Sequence, residues 1–296
     1  MNGIQKVGVV GCGLMGNGIA QVCAQSRYET VVREINDELL DRGMGAIRSS
    51  LDRAVKREKM TEGQRDEVSG RLTGTTDLAE LAECDLIIEA IIEDLETKAA
   101  LYAELDEVCK ATTLFATNTS SLSITELAAR TERPDRFVGL HFFNPVPVMP
   151  LVEVVRCGST SQAAFDQAFA FAESLGKTPI ACRDNTGFIV NRLLIPYMLD
   201  AIRAYEEGVG SIPDIDAGMR LGCGYPMGPF TLGDFVGLDT LYRITEIMYD
   251  EYKDARFAPP SLLKRMYLAG YHGRKTGRGF YDYSDDEPAV SDFVRR

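Results

Sequence analysis

An apolar run, Lys6–Val10, feeds straight into G-x-G-x-x-G at Gly11, Gly13 and Gly16, and nothing else in the chain constrains its fold as much. A strand that ends in such a loop and resumes as a helix leaves bare backbone N–H groups at the positive end of a helix dipole, where a phosphate can approach. Each glycine has its own task. Gly11 permits the tight turn, Gly13 lets the backbone come close to a pyrophosphate, and Gly16 lets the helix lie against the strand. Leu14 and Met15 fill the two positions between the last glycines. A simple tight turn would also satisfy this spacing, so the surroundings carry the argument. A helical segment follows over residues 13–26, then a strand over residues 30–34 that ends on Glu34. A carboxylate there accepts hydrogen bonds from a ribose diol and repels a 2′-phosphate. The expectation is a dinucleotide-binding unit that takes NAD. NADP stays open because Arg33, beside Glu34, offers a cation, and a solvated strand end is the alternative for Glu34.

The same alternation continues. Residues 37–59 read as a long helix with a polar face. Strands follow at 85–90, 114–117, 137–141, 151–155 and 179–181, with helical segments at 98–109 and 124–130. Strands alternating with helices predict a doubly wound parallel sheet covered on both faces. The pattern changes after Asp184. Leu194, Met198, Ala201, Ile202 and Tyr205 recur at helical spacing within residues 191–207. Shorter helices follow at 209–221, 231–235, 239–252 and 261–269, punctuated by Pro213, Pro226, Pro229, Pro259 and Pro260. Strand-like alternation returns only at 279–283. A boundary near 184–190 gives a Rossmann-type α/β domain over residues 1–186 and an all-helical domain over residues 187–296.

Composition narrows the function classes. The 296 residues leave room for one large domain or two ordinary ones at roughly 100–200 residues each. Thirty-two Lys and Arg against 44 Asp and Glu give −12, a poor balance for binding nucleic acid or an anionic membrane. No apolar run is long enough for a transmembrane helix, and residues 1–6 lack the apolar stretch of a secretory signal. Seven scattered cysteines, with no C-x-x-C pair, predict reduced thiols in a cytoplasmic protein and no metal site. Histidine chemistry has two candidates, His141 and His272.

Several polar residues fall where a doubly wound sheet binds ligands, at the carboxyl ends of strands. Residues 117–121, Thr-Asn-Thr-Ser-Ser, follow one strand; the alternative is a cap for the helix at 124–130. His141 ends another strand, placed as a general base or else as a buried histidine bonded to backbone. His272 lies in a glycine-rich turn and reads as structural. Glu153 sits among Leu151, Val152, Val154 and Val155. A carboxylate there is costly unless paired, and pairing with His141 would relieve the cost and orient the imidazole; an edge-strand charge facing water is the alternative. Arg53, Lys56, Arg57 and Lys59 form either a solvated helix face or a local positive patch against the net charge.

Taken in order, GCGLMG (11–16), IIEAIIED (87–94), NTSSLSIT (118–125), GLHFFNPVPVM (139–149), LVEVV (151–155), GFIVNRLLIPY (187–197), GYPMGPFTLGDFVGLD (224–239) and GRKTGRGFYDY (273–283) resemble the L-3-hydroxyacyl-CoA dehydrogenase family, and within it the stand-alone bacterial members acting on 3-hydroxybutyryl-CoA. The resemblance covers nearly the whole chain. It implies NAD(P)-dependent, reversible oxidation of a short (S)-3-hydroxyacyl-CoA to the 3-ketoacyl-CoA. It implies His141 as the catalytic base, Glu153 as the acid that orients it, and Ser120 and Asn191 as hydrogen-bonding partners of the reacting oxygen. Gly11, Gly13, Leu14, Met15 and Gly16 then form the cofactor loop and Glu34 the ribose acid. Glu93, Lys98 and Asn144 match further cofactor-side or substrate-side positions, and Ser50 and Arg57 match contacts to the CoA moiety. A homodimer through the helical domain is also implied. The chain departs from the family at Pro150, where lysine is expected, and at Arg57, where some relatives carry lysine. A dehydrogenase of a free hydroxy acid and a non-catalytic, crystallin-like nucleotide binder are the rival readings.

Overall fold

The computed structural model describes residues 3–294 and divides into two units between Phe188 and Ile189. In the first, β1 (Lys6–Val10) runs into α1 (Leu14–Gln25), β2 (Glu29–Arg33), α2 (Asp37–Lys56), α3 (Glu62–Ser69), β3 (Leu72–Thr75), β4 (Leu86–Glu89), α4 (Leu95–Val108), β5 (Leu114–Thr117), α5 (Ile124–Ala128), β6 (Phe137–Phe142), β7 (Leu151–Arg156), α6 (Gln162–Ser174) and β8 (Thr178–Arg183). The eight strands form one sheet in the order β3-β2-β1-β4-β5-β6-β7-β8. Val7, Val9 and Val10 of β1 have no exposed surface, as a central strand covered on both faces requires. Ile19, Ile47 and Phe171, from α1, α2 and α6, pack in one buried cluster with Val9 and Ile88. Leu101, Tyr102 and Leu127, from α4 and α5, pack in another with Val10 and Ile87.

The expectation of a parallel sheet needs correction at one place. Neighbouring strands are parallel except β6 and β7, which are antiparallel with His141 opposite Glu153. Residues 143–150 are too few for a crossover, so the chain turns back directly. Three elements also escape the sequence reading. The polar helix α3 buries only Val68 and is held by a Thr61–Gln64 capping box. The edge strand β3 has no fully buried residue. Helix α6 is the crossover that parallel β7 and β8 demand.

The second unit holds α7 (Val190–Glu206), α8 (Ile212–Cys223), α9 (Pro229–Val236), α10 (Leu238–Tyr252) and α11 (Ser261–Leu268) around Met198, Leu199, Phe230, Leu241, Leu263 and Phe280. It is not wholly helical: β9 (Tyr281–Asp282) and β10 (Ala289–Val290) pair antiparallel. Buried Asp234 anchors this tail by accepting from the amides of Phe280 and Tyr281 and from the Tyr283 hydroxyl; burial lifts its pKa to about 6. No helix among the described residues is long and apolar enough to cross a membrane.

Candidate active site

The glycine loop has the shape its sequence requires. Gly11 adopts φ +92°, and its N–H donates to the Arg33 carbonyl at 2.9 Å, tying the loop to the end of β2. A Cβ at Gly16 would overlap the Gly11 carbonyl oxygen, so α1 can close on β1 only with glycine there. A Cβ at Gly13 would meet nothing within 4 Å. The first amides of α1 have no side-chain cap. Glu34 accepts from the Cys12 amide at 2.7 Å and the Ile35 amide at 3.0 Å, one on each carboxylate oxygen. Acid and loop are thereby one rigid piece. Leu14, Ile35 and Ile92, at the carboxyl ends of β1, β2 and β4, are about 70% exposed. A fixed acid, uncapped helix amides and exposed apolar side chains fit a dinucleotide.

Two buried charge networks lie at the carboxyl ends of β4–β6. In the first, His141 Nδ1 is 2.6 Å from Glu153 Oε2, and neither residue is appreciably exposed. The antiparallel register places the two side chains on one face of the sheet. An Nδ1–H donating to the carboxylate fixes the ring and leaves Nε2 to exchange a proton. The rings of Phe143 and Phe188 stand 4.5 and 5.6 Å from the imidazole, and such apolar walls strengthen the hydrogen bond between the two side chains.

In the second network, Lys98 Nζ lies 2.5 Å from Glu89 Oε1, with both side chains fully buried. Glu89 also accepts from the Ile91 amide and the Thr117 hydroxyl, each at 2.7 Å. Lys98 reaches Glu93 Oε2 at 3.4 Å. The other oxygen of Glu93 gathers the turn after β5, accepting from the Thr119 hydroxyl, the Ser121 hydroxyl at 3.0 Å and the Ser120 amide at 3.1 Å. Burial pushes the Glu93 carboxyl up, but Lys98 and these donors outweigh it and hold its pKa below the ordinary value. Ser120 is thus presented on an anchored turn. Asn118 Oδ1 accepts from the Phe142 amide at 2.9 Å, joining that turn to the strand that carries His141. Capping of α5 falls to Ser123, which accepts from the Glu126 amide, so residues 117–121 are not its cap.

A third feature is an open groove of about 570 Å³ lined by residues of α1, α2 and the β6–β7 loop. It brings Ser50 and Arg57 together with Arg53, Lys59, Leu14 and Asn144. Asn191 stands in the first turn of α7, in the second unit, and is partly buried. His272 Nε2 is 3.2 Å from the Tyr267 carbonyl, and its ring stacks on Tyr267.

Residues 6–185 match the model of the 3-hydroxyacyl-CoA dehydrogenase NAD binding domain, and residues 187–283 match that of the 3-hydroxyacyl-CoA dehydrogenase C-terminal domain. The chain belongs to the 3-hydroxyacyl-CoA dehydrogenase family. It is 49% identical to the 3-hydroxybutyryl-CoA dehydrogenase of Mycobacterium tuberculosis, over 95% of this chain and 99% of that one. It is 43% identical to the mitochondrial hydroxyacyl-coenzyme A dehydrogenase of Sus scrofa, over 95% and 91%. The crystal structure of (S)-3-hydroxybutyryl-CoA dehydrogenase from Ralstonia eutropha superposes with a TM-score of 0.92 at 44% identity, covering 95% of this chain and all of that one. The first unit of this dehydrogenase chain is thus an NAD-binding domain. Sequence reasoning missed Glu89, which accepts from the Ile91 amide and the Thr117 hydroxyl and so holds the turns of that domain in place. Glu89 had a readable signal, a carboxylate ending an otherwise apolar strand, the same anomaly that singles out Glu153.

Proposed function

We propose that the chain catalyses the reversible NAD-dependent oxidation of a short (S)-3-hydroxyacyl-CoA, 3-hydroxybutyryl-CoA being the type, to the 3-ketoacyl-CoA. The carrying observation is the buried His141–Glu153 pair, joined through Asn118 to the turn that presents Ser120. The bound dinucleotide supplies a hydride acceptor in one direction and a hydride donor in the other. His141 Nε2 takes the proton of the 3-hydroxyl as the C–H bond of C3 is broken. Glu153, on Nδ1, stabilises the imidazolium that results. Ser120 and Asn191 donate hydrogen bonds to the oxygen as it becomes a carbonyl. In the reverse direction the imidazolium returns the proton to the developing alkoxide.

Gly11, Gly13, Leu14, Met15 and Gly16 receive the pyrophosphate, and Glu34 receives the ribose diol and disfavours NADP. Glu93, Lys98 and Asn144 shape the nicotinamide side. The CoA moiety takes the groove, where Ser50, Arg57, Arg53 and Lys59 offer its phosphates a local positive field in a chain of net charge −12. Dinucleotide binding belongs to residues 1–186; residues 187–296 form a substrate and dimerisation domain, for which the exposed Leu193, Val209 and Leu221 offer apolar surface. Seven scattered cysteines with no C-x-x-C pair suit a cytoplasmic protein.

The test is NADH oxidation with acetoacetyl-CoA, run beside free acetoacetate and beside NADPH. Nucleotide fluorescence can be followed directly, since the chain has no tryptophan. Turnover of the CoA ester with NADH alone is expected. Equal turnover of free acetoacetate, or nucleotide binding without turnover of either, overturns the proposal.

A further inference from the structure

One wall of the groove is the β6–β7 loop, residues 143–150, and this loop is short of hydrogen-bond donors. Pro145, Pro147 and Pro150 have no N–H. Val148 and Met149 both donate to a single carbonyl, that of Pro145, at 2.9 and 3.0 Å. The carbonyls of Val146, Met149 and Pro150 must find donors outside the loop. Lys177, just before β8, and Thr178, its first residue, supply them all. Lys177 Nζ donates to the Val146 carbonyl at 2.6 Å and to the Met149 carbonyl at 2.8 Å. The Thr178 amide donates to the Pro150 carbonyl at 2.7 Å.

The Val146 carbonyl belongs to the part of the loop that meets α1. Val146 is buried and lies so close to the helix that a Cβ at Gly18 would stand 2.9 Å from the Val146 Cβ and 3.3 Å from Pro147 Cδ. Asn144, Pro145, Val146, Pro147 and Val148 then line the same groove as Ser50 and Arg57. The wall has little backbone bonding of its own, so its position depends on the ammonium that gathers two of its carbonyls. An ammonium carries three donors and no acceptor; with two of them spent on the loop, Lys177 acts through the backbone it holds.

We propose that Lys177 is a positioning residue for the substrate: it fixes the β6–β7 loop as the wall against which the CoA moiety binds. This rests on the reading of the groove as the CoA site. Lys177→Met and Lys177→Arg test it, by steady-state kinetics with acetoacetyl-CoA and NADH, by titration with free CoA, and by hydrogen exchange of the Val148 and Met149 amides. A hydrogen bond from a charged donor is worth enough that Lys177→Met should raise the KM for acetoacetyl-CoA and the Kd for CoA about tenfold. The KM for NADH and the kcat should stay within about threefold. The two loop amides should exchange roughly tenfold faster, and Lys177→Arg should recover most of each effect.

A folded Lys177→Met protein with unchanged CoA affinity overturns the proposal. So does a uniform loss of kcat and both KM values alongside a lower Tm, which marks a merely structural lysine. Unmutated protein that binds no CoA overturns the reading of the groove itself, and that result is in hand before any variant is made.

Discussion

The first unit handles charge in two ways. At the carboxyl ends of β4–β6, Glu89, Lys98, His141 and Glu153 are buried, and each has a partner within 2.6 Å. On the groove side of α2 and the turn after it, Arg53, Arg57 and Lys59 are exposed and have no ion-pair partner among the described residues. Taking a charge out of water costs several kcal/mol and is recovered only by close partners in good geometry, so changing one member of the buried set leaves its partner uncompensated. Exposed charges keep their hydration, act through a screened field, and are largely interchangeable. The difference assigns tasks: turnover and fold integrity should depend on the buried set, and affinity for a polyanionic substrate on the exposed one.

The largest effect expected is on His141. His141→Gln should lower kcat by about 10²–10⁴, the usual worth of a positioned general base. The Kd for NADH, read by nucleotide fluorescence, should stay within about twofold because the glycine loop and Glu34 are untouched. Adding Glu153→Gln to that variant should cost little more, since two residues acting as one unit are not additive. Near-normal turnover in His141→Gln would remove the buried pair from the chemistry.

Next comes Lys98. Lys98→Met strands Glu89 as an unpaired buried carboxylate, at a cost of roughly 3–5 kcal/mol in stability. Urea unfolding followed by tyrosine fluorescence measures it. The double variant with Glu89→Gln should regain most of the loss, because the uncompensated charge is gone. An unfolding midpoint for Lys98→Met equal to that of the unmutated protein would break the contrast at its buried end.

The sequence displays some of this architecture and hides the rest for physical reasons. The strands Lys6–Val10 and Leu114–Thr117 are legible to the residue, because apolar runs stop abruptly at glycine or asparagine. His141 and Glu153 stand out as polar residues in apolar surroundings, and a turn of only a few residues makes their pairing foreseeable. Lys98 does not stand out. Its helix carries other charges, and only the folded chain shows that this lysine points inward at Glu89. Lys177 is hidden more deeply, since the carbonyls it holds lie 31 and 28 residues before it, and no local pattern marks a side chain that serves a distant backbone. Helix α3 and strand β3 escape because they bury almost nothing, so they lack the periodicity that reveals amphipathic elements.

The smallest effect tests the exposed end of the contrast. An exposed cation facing a phosphate in water contributes at most about 1 kcal/mol. Arg57→Gln should therefore raise the KM for acetoacetyl-CoA only about two- to fivefold, a change of roughly 0.4–1 kcal/mol, with kcat unaltered. Arg57→Lys preserves the charge but not the forked donor geometry. It should fall near the unmutated enzyme if the field alone matters, and near Arg57→Gln if a bidentate contact does. Salt separates the mechanisms further. At about 0.5 M KCl the screening length shrinks to roughly 4 Å, and the difference in KM between the unmutated enzyme and Arg57→Gln should largely vanish. A loss that persists at high salt, or one that appears in kcat, would mean that Arg57 becomes desolvated against the substrate, and the groove would then obey the rules of the buried network.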